Sequence, residues 1–231
     1  MELGDDYMHE NLDEETKIKF RELRLSWVFG YILETFDLRD LIESFSRRGY
    51  TTPTREEVPL VPIRARLGGA GIIARKGEFD VYVDTSRQII GVRCSADFSK
   101  LRPFYQEVRD ILIEDFELDF TRDVRYCELS SEIRVKGKKV IDKIRNIPIK
   151  QIPELESIVG KYALVGFRIG SKEGYPTMSN WFEIEIHPVW TKPRNYYEVW
   201  VVYRNESEEK VLFFAENLES VVSSAIKIVE G

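Results

Sequence analysis

Leu23-Arg24-Leu25-Ser26-Trp27-Val28-Phe29-Gly30-Tyr31-Ile32-Leu33 carries a leucine or an aromatic ring at every odd position, with Arg24, Ser26 and Gly30 among the even ones. A period of two over that length predicts a long strand with one buried face. Asp37 then stands where a helix N-cap belongs, ahead of Leu38, Leu41, Ile42 and Phe45 at helical spacing. Gly49 ends that helix, and Pro53 and Pro59 mark the loop beyond it. A second strand places Val61, Ile63, Ala65 and Leu67 inward with Arg64 and Arg66 outward, and Gly68-Gly69-Ala70-Gly71 makes a turn. Ile72 to Arg75 and Phe79 to Asp84 form a hairpin about Lys76-Gly77, and Ile89 to Cys94 returns. A helix from about Ser99 then carries Leu101, Phe104, Tyr105, Val108, Leu112 and Phe116 on one face.

The order restarts after that helix. Cys127, Leu129, Ile133 and Val135 alternate with Tyr126, Glu128, Glu132 and Arg134. A basic helical stretch follows from Lys136 to about Arg145, then a short helix at Pro153 to Val159. Strands are expected at Tyr162 to Ile169, Trp181 to His187, Tyr196 to Tyr203 and Val211 to Ala215, and Asn217 caps a closing helix through Val229. The expectation is an α+β fold: a curved antiparallel sheet built from two β-α-β-β-β-β-α repeats, with helices on one face. The chain divides into an acidic leader (1–20), a first repeat (21–120) and a second repeat (121–231), the repeats sharing one continuous sheet.

Strand, helix, four strands and helix, twice over, resembles the TATA-binding-protein fold. Local echoes are Asp37-Leu38-Arg39-Asp40-Leu41 opening the first helix, and Tyr50 and Pro53 before Pro59 and the next strand. The likeness is one of element order over nearly the whole chain after the leader. It implies a saddle with helices on its convex side and an open sheet as the working surface.

Composition narrows the function classes. Hydrophobic content of 43% and aromatic content of 12% belong to a folded globular chain of 231 residues. The net charge of -6 is concentrated at the front: seven acids and two lysines in the first twenty residues leave the rest at -1. Such a body neither demands nor forbids a polyanion partner. Cys94 and Cys127 lie on apolar strand phases and are expected as buried free thiols. No stretch has the pattern of a signal peptide or the ~20 apolar residues of a membrane span, so the expected place is the cytoplasm. Abundant Glu, Lys, Arg and Ile with few Gln suit a thermophile.

The outward phase of the strands defines the candidate surface. The first repeat offers Arg24, Ser26, Arg64, Arg66, Asp80, Tyr82, Asp84 and Arg93. The second offers Tyr126, Glu128, Ser130, Glu132, Trp181, Glu183, Glu185, His187, Tyr196, Glu198, Trp200 and Arg204. Carboxylates facing phosphates cost affinity, so the fold resemblance does not carry DNA binding with it. Trp181, Tyr196 and Trp200, rimmed by Glu183, Glu185 and Glu198, have instead the make-up of a protein interface, and a protein partner is the leading expectation.

Two alternatives come from other features. Between Arg134 and Lys150 lie seven bases (Arg134, Lys136, Lys138, Lys139, Lys143, Arg145, Lys150) and one acid, Asp142. With Arg64 and Arg66 they form the candidate nucleic-acid surface; as an ordinary linker they would be neutralised by the acidic stretch Glu114 to Asp119. Glu183, Glu185 and His187 alternate on one strand and are the candidates for a metal-dependent enzyme. Alternate residues of a strand lie ~7 Å apart, so a further ligand must come from a neighbour, and a solvated face is the plainer reading. Phe79 to Asp84 with Ile89 to Ser95 resembles a restriction-type nuclease hairpin but lacks the second acid and the lysine that hold magnesium there. Gly68 to Gly71 lacks the Lys-Ser/Thr of a phosphate loop, and neither cysteine has a histidine placed for thiol chemistry. The sequence therefore points to a non-enzymatic binding module with no cofactor.

Overall fold

A computed structural model describes residues 18–30, 37–53, 70–150 and 152–230. The first seventeen residues of the acidic leader, Tyr31 and Leu33, and the expected strand at Val61–Leu67 with Arg64 and Arg66 lie outside the described residues. The strands are β1 (Ile18–Phe29), β2 (Ala70–Lys76), β3 (Phe79–Asp84), β4 (Ile89–Cys94), β5 (Val124–Lys136), β6 (Phe167–Gly170), β7 (Trp181–Pro188) and β8 (Tyr196–Asn205). The helices are α1 (Leu38–Arg47), α2 (Phe98–Phe116), α3 (Phe120–Asp123), α4 (Val140–Arg145), α5 (Pro153–Val159), α6 (Glu208–Glu216) and α7 (Leu218–Glu230).

The eight described strands form one open antiparallel sheet in the order β2-β3-β4-β1-β5-β8-β7-β6. The order is mirrored about the centre. In each half the first strand lies at the middle, the last strand lies beside it, and the hairpin partners step outward. β1 and β5 pair from Ile18↔Val135 to Phe29↔Val124, with register shifts between Phe20 and Glu22 and between Val28 and Phe29.

Helices α1, α2, α4, α6 and α7 pack on one face because one strand phase is apolar. Leu23, Leu25, Trp27, Val81, Val83, Ile90, Val92, Leu129, Ile133, Val199 and Val201 are buried in a single core with Leu101, Tyr105, Val108 and Leu112 of α2 and Val211, Ala215, Leu218 and Val222 of α6 and α7. Aromatic pairs mark the seam: Trp27 stacks on Tyr105 at 4.3 Å, Phe79 on Phe104 at 4.9 Å and Tyr203 on Phe214 at 4.4 Å. The Glu208 carboxylate ties the helical layers of the two halves together, accepting from Trp27 Nε1 at 3.0 Å and from the Tyr105 hydroxyl at 2.7 Å. Cys127 lies beside Tyr105, and burial pushes its thiol up to about 12. Both cysteines are free and buried.

Local signals explain the elements. Asp37 caps α1 by accepting from Arg39 N, and Gly49 takes the left-handed conformation (φ 83°) just past the helix. Asp97 caps α2 by accepting from Lys100 N. Four expectations need correction. Val211 to Ala215 is helical, not a strand: Ser207 caps α6 by accepting from Lys210 N, Glu208 and Glu209 favour its first turn, and Val211 and Ala215 are buried one helical turn apart. The second half therefore has four strands, not five. The strand expected at Tyr162 to Ile169 is confined to Phe167–Gly170, and Lys136 ends β5 rather than opening a helix, so that α4 starts at Val140. Gly71 belongs to β2 rather than to a turn. Asn217 sits between α6 and α7, its side-chain amide donating back to Phe213 O.

Candidate functional site

Register decides which side chains share the face that the described core helices leave uncovered. Between β7 and β8, Glu185 stands opposite Trp200, His187 opposite Glu198 and Trp181 opposite Arg204. Across the other edge of β8, Glu132 stands opposite Trp200, Arg134 opposite Glu198 and Lys136 opposite Tyr196. The six residues expected to meet a partner (Trp181, Glu183, Glu185, Tyr196, Glu198, Trp200) thus share one face of two neighbouring strands. At their centre Trp200 is 48% exposed. Carboxylates flank it on both sides, and the His187 ring stands perpendicular to it with the ring centroids 5.3 Å apart.

The charges around Trp200 are unevenly satisfied. Glu185 accepts from Arg168 at 2.5 Å, and the same guanidinium lies 3.6 Å from Glu183. Glu198 lies 3.9 Å from Arg134 and 3.8 Å from His187 Nε2. Glu132 makes no ion pair among the described residues. Partial burial and then the neighbouring Glu198 raise its carboxyl above the usual range. Four carboxylates thus lie around one exposed indole; Arg168 and Arg134 approach three of them, and Arg21 acts on Glu132 without forming an ion pair.

The first half of the face has another character. Asp80 takes Arg75 at 2.6 Å and Arg93 at 3.1 Å, and Glu22 takes Arg93 at 3.4 Å and Arg24 at 2.5 Å. Glu128, only 5% exposed, is held by Arg87 at 3.1 Å and Arg204 at 2.5 Å. The Tyr82 ring occupies the space beside Gly91 that a Cβ there would enter, and its hydroxyl meets Ser26 at 2.5 Å. Ser26, Asp80 and Glu128 are thus in the expected phase yet buried, because neighbouring side chains close over them.

The other sequence candidates disperse. Arg134 faces Glu198 on the sheet, and Lys143 donates to Glu230 at 2.9 Å. Lys136, Lys138, Lys139 and Arg145 are exposed. The acidic stretch expected to neutralise them does not: Glu114 and Asp115 hold Arg48 instead. Glu183, Glu185 and His187 do not converge, and among the described residues no group of three or more His, Cys, Asp or Glu could hold a metal. The grooves lined by Glu107 and Asp110 and by Asp97 and Glu216 lie on the helical side.

Two contributors escaped the sequence reading. Glu132 was visible in the right phase, but only the β5–β8 register puts it against Trp200. The loop after β7 carries Trp190, Lys192 and Arg194, and no periodic signal marks it. No described helix is long and apolar enough to cross a membrane. No protein-family model matches the chain, and no curated protein and no solved structure matches it either.

Proposed function

We propose that the chain is a non-enzymatic binding module whose sheet face, in its second half, receives a cationic segment of a protein partner. The carrying observation is Trp200, exposed and in register between Glu132 and Glu185. An arginine or lysine laid on that indole gains a cation–π contact and two flanking carboxylates. It also supplies a close counter-charge to Glu132, which makes no ion pair among the described residues and feels only the coulombic pull of Arg21. Tyr196 and Trp181 extend the aromatic surface along the same strands, as suits a contact whose binding energy sits in a few rings inside a polar rim.

The mirrored strand order supports reading the chain as two copies of one unit, in the manner of a TATA-binding saddle. DNA is a poor occupant for this face. Four carboxylates surround its exposed ring, and a phosphate backbone would be repelled where it should be neutralised.

The test is selection of a randomised displayed-peptide library on the full chain. The expected outcome is enrichment of Arg- or Lys-bearing sequences, with affinity falling at least tenfold for Trp200→Ala and weakening for Glu132→Gln. Selection indifferent to Trp200→Ala, or enriched for acidic peptides, overturns the reading.

A further inference from the structure

The basic segment after β5 gains a second wall from the loop between β7 and β8. Gly137 N donates to Asn195 O at 2.8 Å, Val140 N to Arg194 O at 3.2 Å and Ile141 N to Pro193 O at 2.9 Å. These three bonds lay residues 137–141 alongside residues 193–195. Gly137 has no room for a side chain at the start of this segment: a Cβ there would lie 2.6 Å from both the Tyr197 ring and Val140. Lys139 adopts the left-handed conformation (φ 54°), turning the chain directly into α4.

The consequence is a pole where five exposed cations meet: Lys136, Lys138 and Lys139 from one segment, Lys192 and Arg194 from the other. None makes an ion pair among the described residues. This concentration stands out in a chain of net charge -6. Trp190, in the same short loop, is 59% exposed, and the Lys192 ammonium lies 6.0 Å from the Tyr196 ring. The sequence alone signalled only half of this surface, because Lys192 and Arg194 are more than fifty residues from Lys139.

We propose that this pole binds single-stranded nucleic acid. Cations on two adjoining segments suit a phosphate backbone, and an exposed indole offers a stacking surface for an unpaired base. A duplex hides its base faces in its own stack, so Trp190 would gain nothing from one. An acidic protein segment would use the cations but has no planar base for the indole. Tyr196 borders both surfaces, but the cations and Trp190 that carry this reading are distinct from Trp200 and its carboxylates, so Trp190→Ala and Trp200→Ala tell the two readings apart.

The experiment is fluorescence anisotropy of the full chain with labelled fifteen-nucleotide dT and rU strands over a salt series. A duplex and a poly-glutamate peptide serve as competitors. With five phosphates engaged, log K should fall against log salt with a slope of about −3.5. Lys138→Glu with Lys192→Glu should weaken binding by two orders of magnitude or more and flatten that slope. Trp190→Ala should weaken it about tenfold or more, the scale of one lost base–indole stack, and leave the slope unchanged. Trp200→Ala should leave strand binding intact, and melting curves check that each variant stays folded. Absence of strand binding at low salt overturns the proposal. So does poly-glutamate or duplex competing as well as the single strand, or binding indifferent to Trp190→Ala.

Discussion

The two halves of the uncovered sheet share a strand order and differ in how they treat their charges. In the first half, Arg75, Arg93 and Arg24 alternate with Asp80 and Glu22, and Tyr82 fills the space beside Gly91 and reaches Ser26. In the second, Trp200 is exposed between carboxylates, one of which, Glu132, makes no ion pair among the described residues. The difference teaches that one topology can place a self-satisfied surface beside an unsatisfied one. Side chains that find their counter-charges within the molecule have little left to offer a partner. The strand scaffold decides where a residue points; the residues opposite it decide whether it is spent.

Glycines beside rings make the sharpest contrast. A Cβ on Gly91 would stand 2.7 Å from Leu25 O and 2.8 Å from the Tyr82 ring, so backbone must move. A Cβ on Gly170, beside Trp181 in the second half, would find its nearest atoms at 3.4 Å, an ordinary contact. Gly91→Ala should therefore cost ~2–3 kcal/mol, the usual scale of forced overpacking. At this chain length that lowers the melting midpoint by about 5–10 °C. Gly170→Ala should shift it by about 2 °C at most, as for surface substitutions away from tight features. Equal effects on calorimetry would mean that both halves are packed alike, and the contrast would fail.

The Tyr82 hydroxyl gives a smaller test with a pH signature. Burial pushes this phenol up to about 12, above the ~10 of an unfolded tyrosine. The native chain thus keeps a proton that the unfolded chain has lost. Its contribution is complete below about pH 10 and is lost as pH rises toward 12. Tyr82→Phe leaves the buried Ser26 hydroxyl without its partner, costing about 1 kcal/mol at neutral pH. The same change removes one alkaline titration, so the variant's stability should decline less steeply between pH 10 and 12 in denaturant melts. A decline as steep as that of the parent would mean that Tyr82 is not held closed over the sheet.

How much of this was legible in the chain follows from what periodicity can and cannot carry. The alternation of Leu23 to Phe29 marked a strand correctly because one face is apolar without interruption. The run Val211-Leu212-Phe213-Phe214-Ala215 has no such alternation, so period alone could not separate strand from helix; the Ser207 cap and the acidic first turn held the answer. The open face was readable as a phase, since every strand turns alternate residues the same way. Its division into spent and unspent charges was not. That depends on cross-strand partners such as Glu128 with Arg204, seventy-six residues apart, and on register, which no single strand contains. The basic pole was half visible for the same reason: composition flagged residues 134–150, but three backbone bonds to a distant loop complete it.

Glu132 offers the smallest effect and the most discriminating one. Its carboxyl is raised by partial burial and by Glu198, so the native state binds more protons than the unfolded one. Stability from this group therefore falls as pH rises through the carboxylate range, and the charge is a cost at neutral pH. Glu132→Gln should stabilise the fold by about 0.5 kcal/mol, the scale of a like-charge contact across strands, and raise the melting midpoint by about 1–2 °C. The gain should disappear in melts at pH 3, where both chains carry a neutral group. A partner site predicts a second result from the same protein: a more stable fold that holds cationic peptides less well. A residue serving only the sheet would lose stability when changed, as Tyr82 and Gly91 should. If Glu132→Gln melts lower than the parent at pH 7, Glu132 is as spent as Glu128, and the second half of the face is no more available than the first.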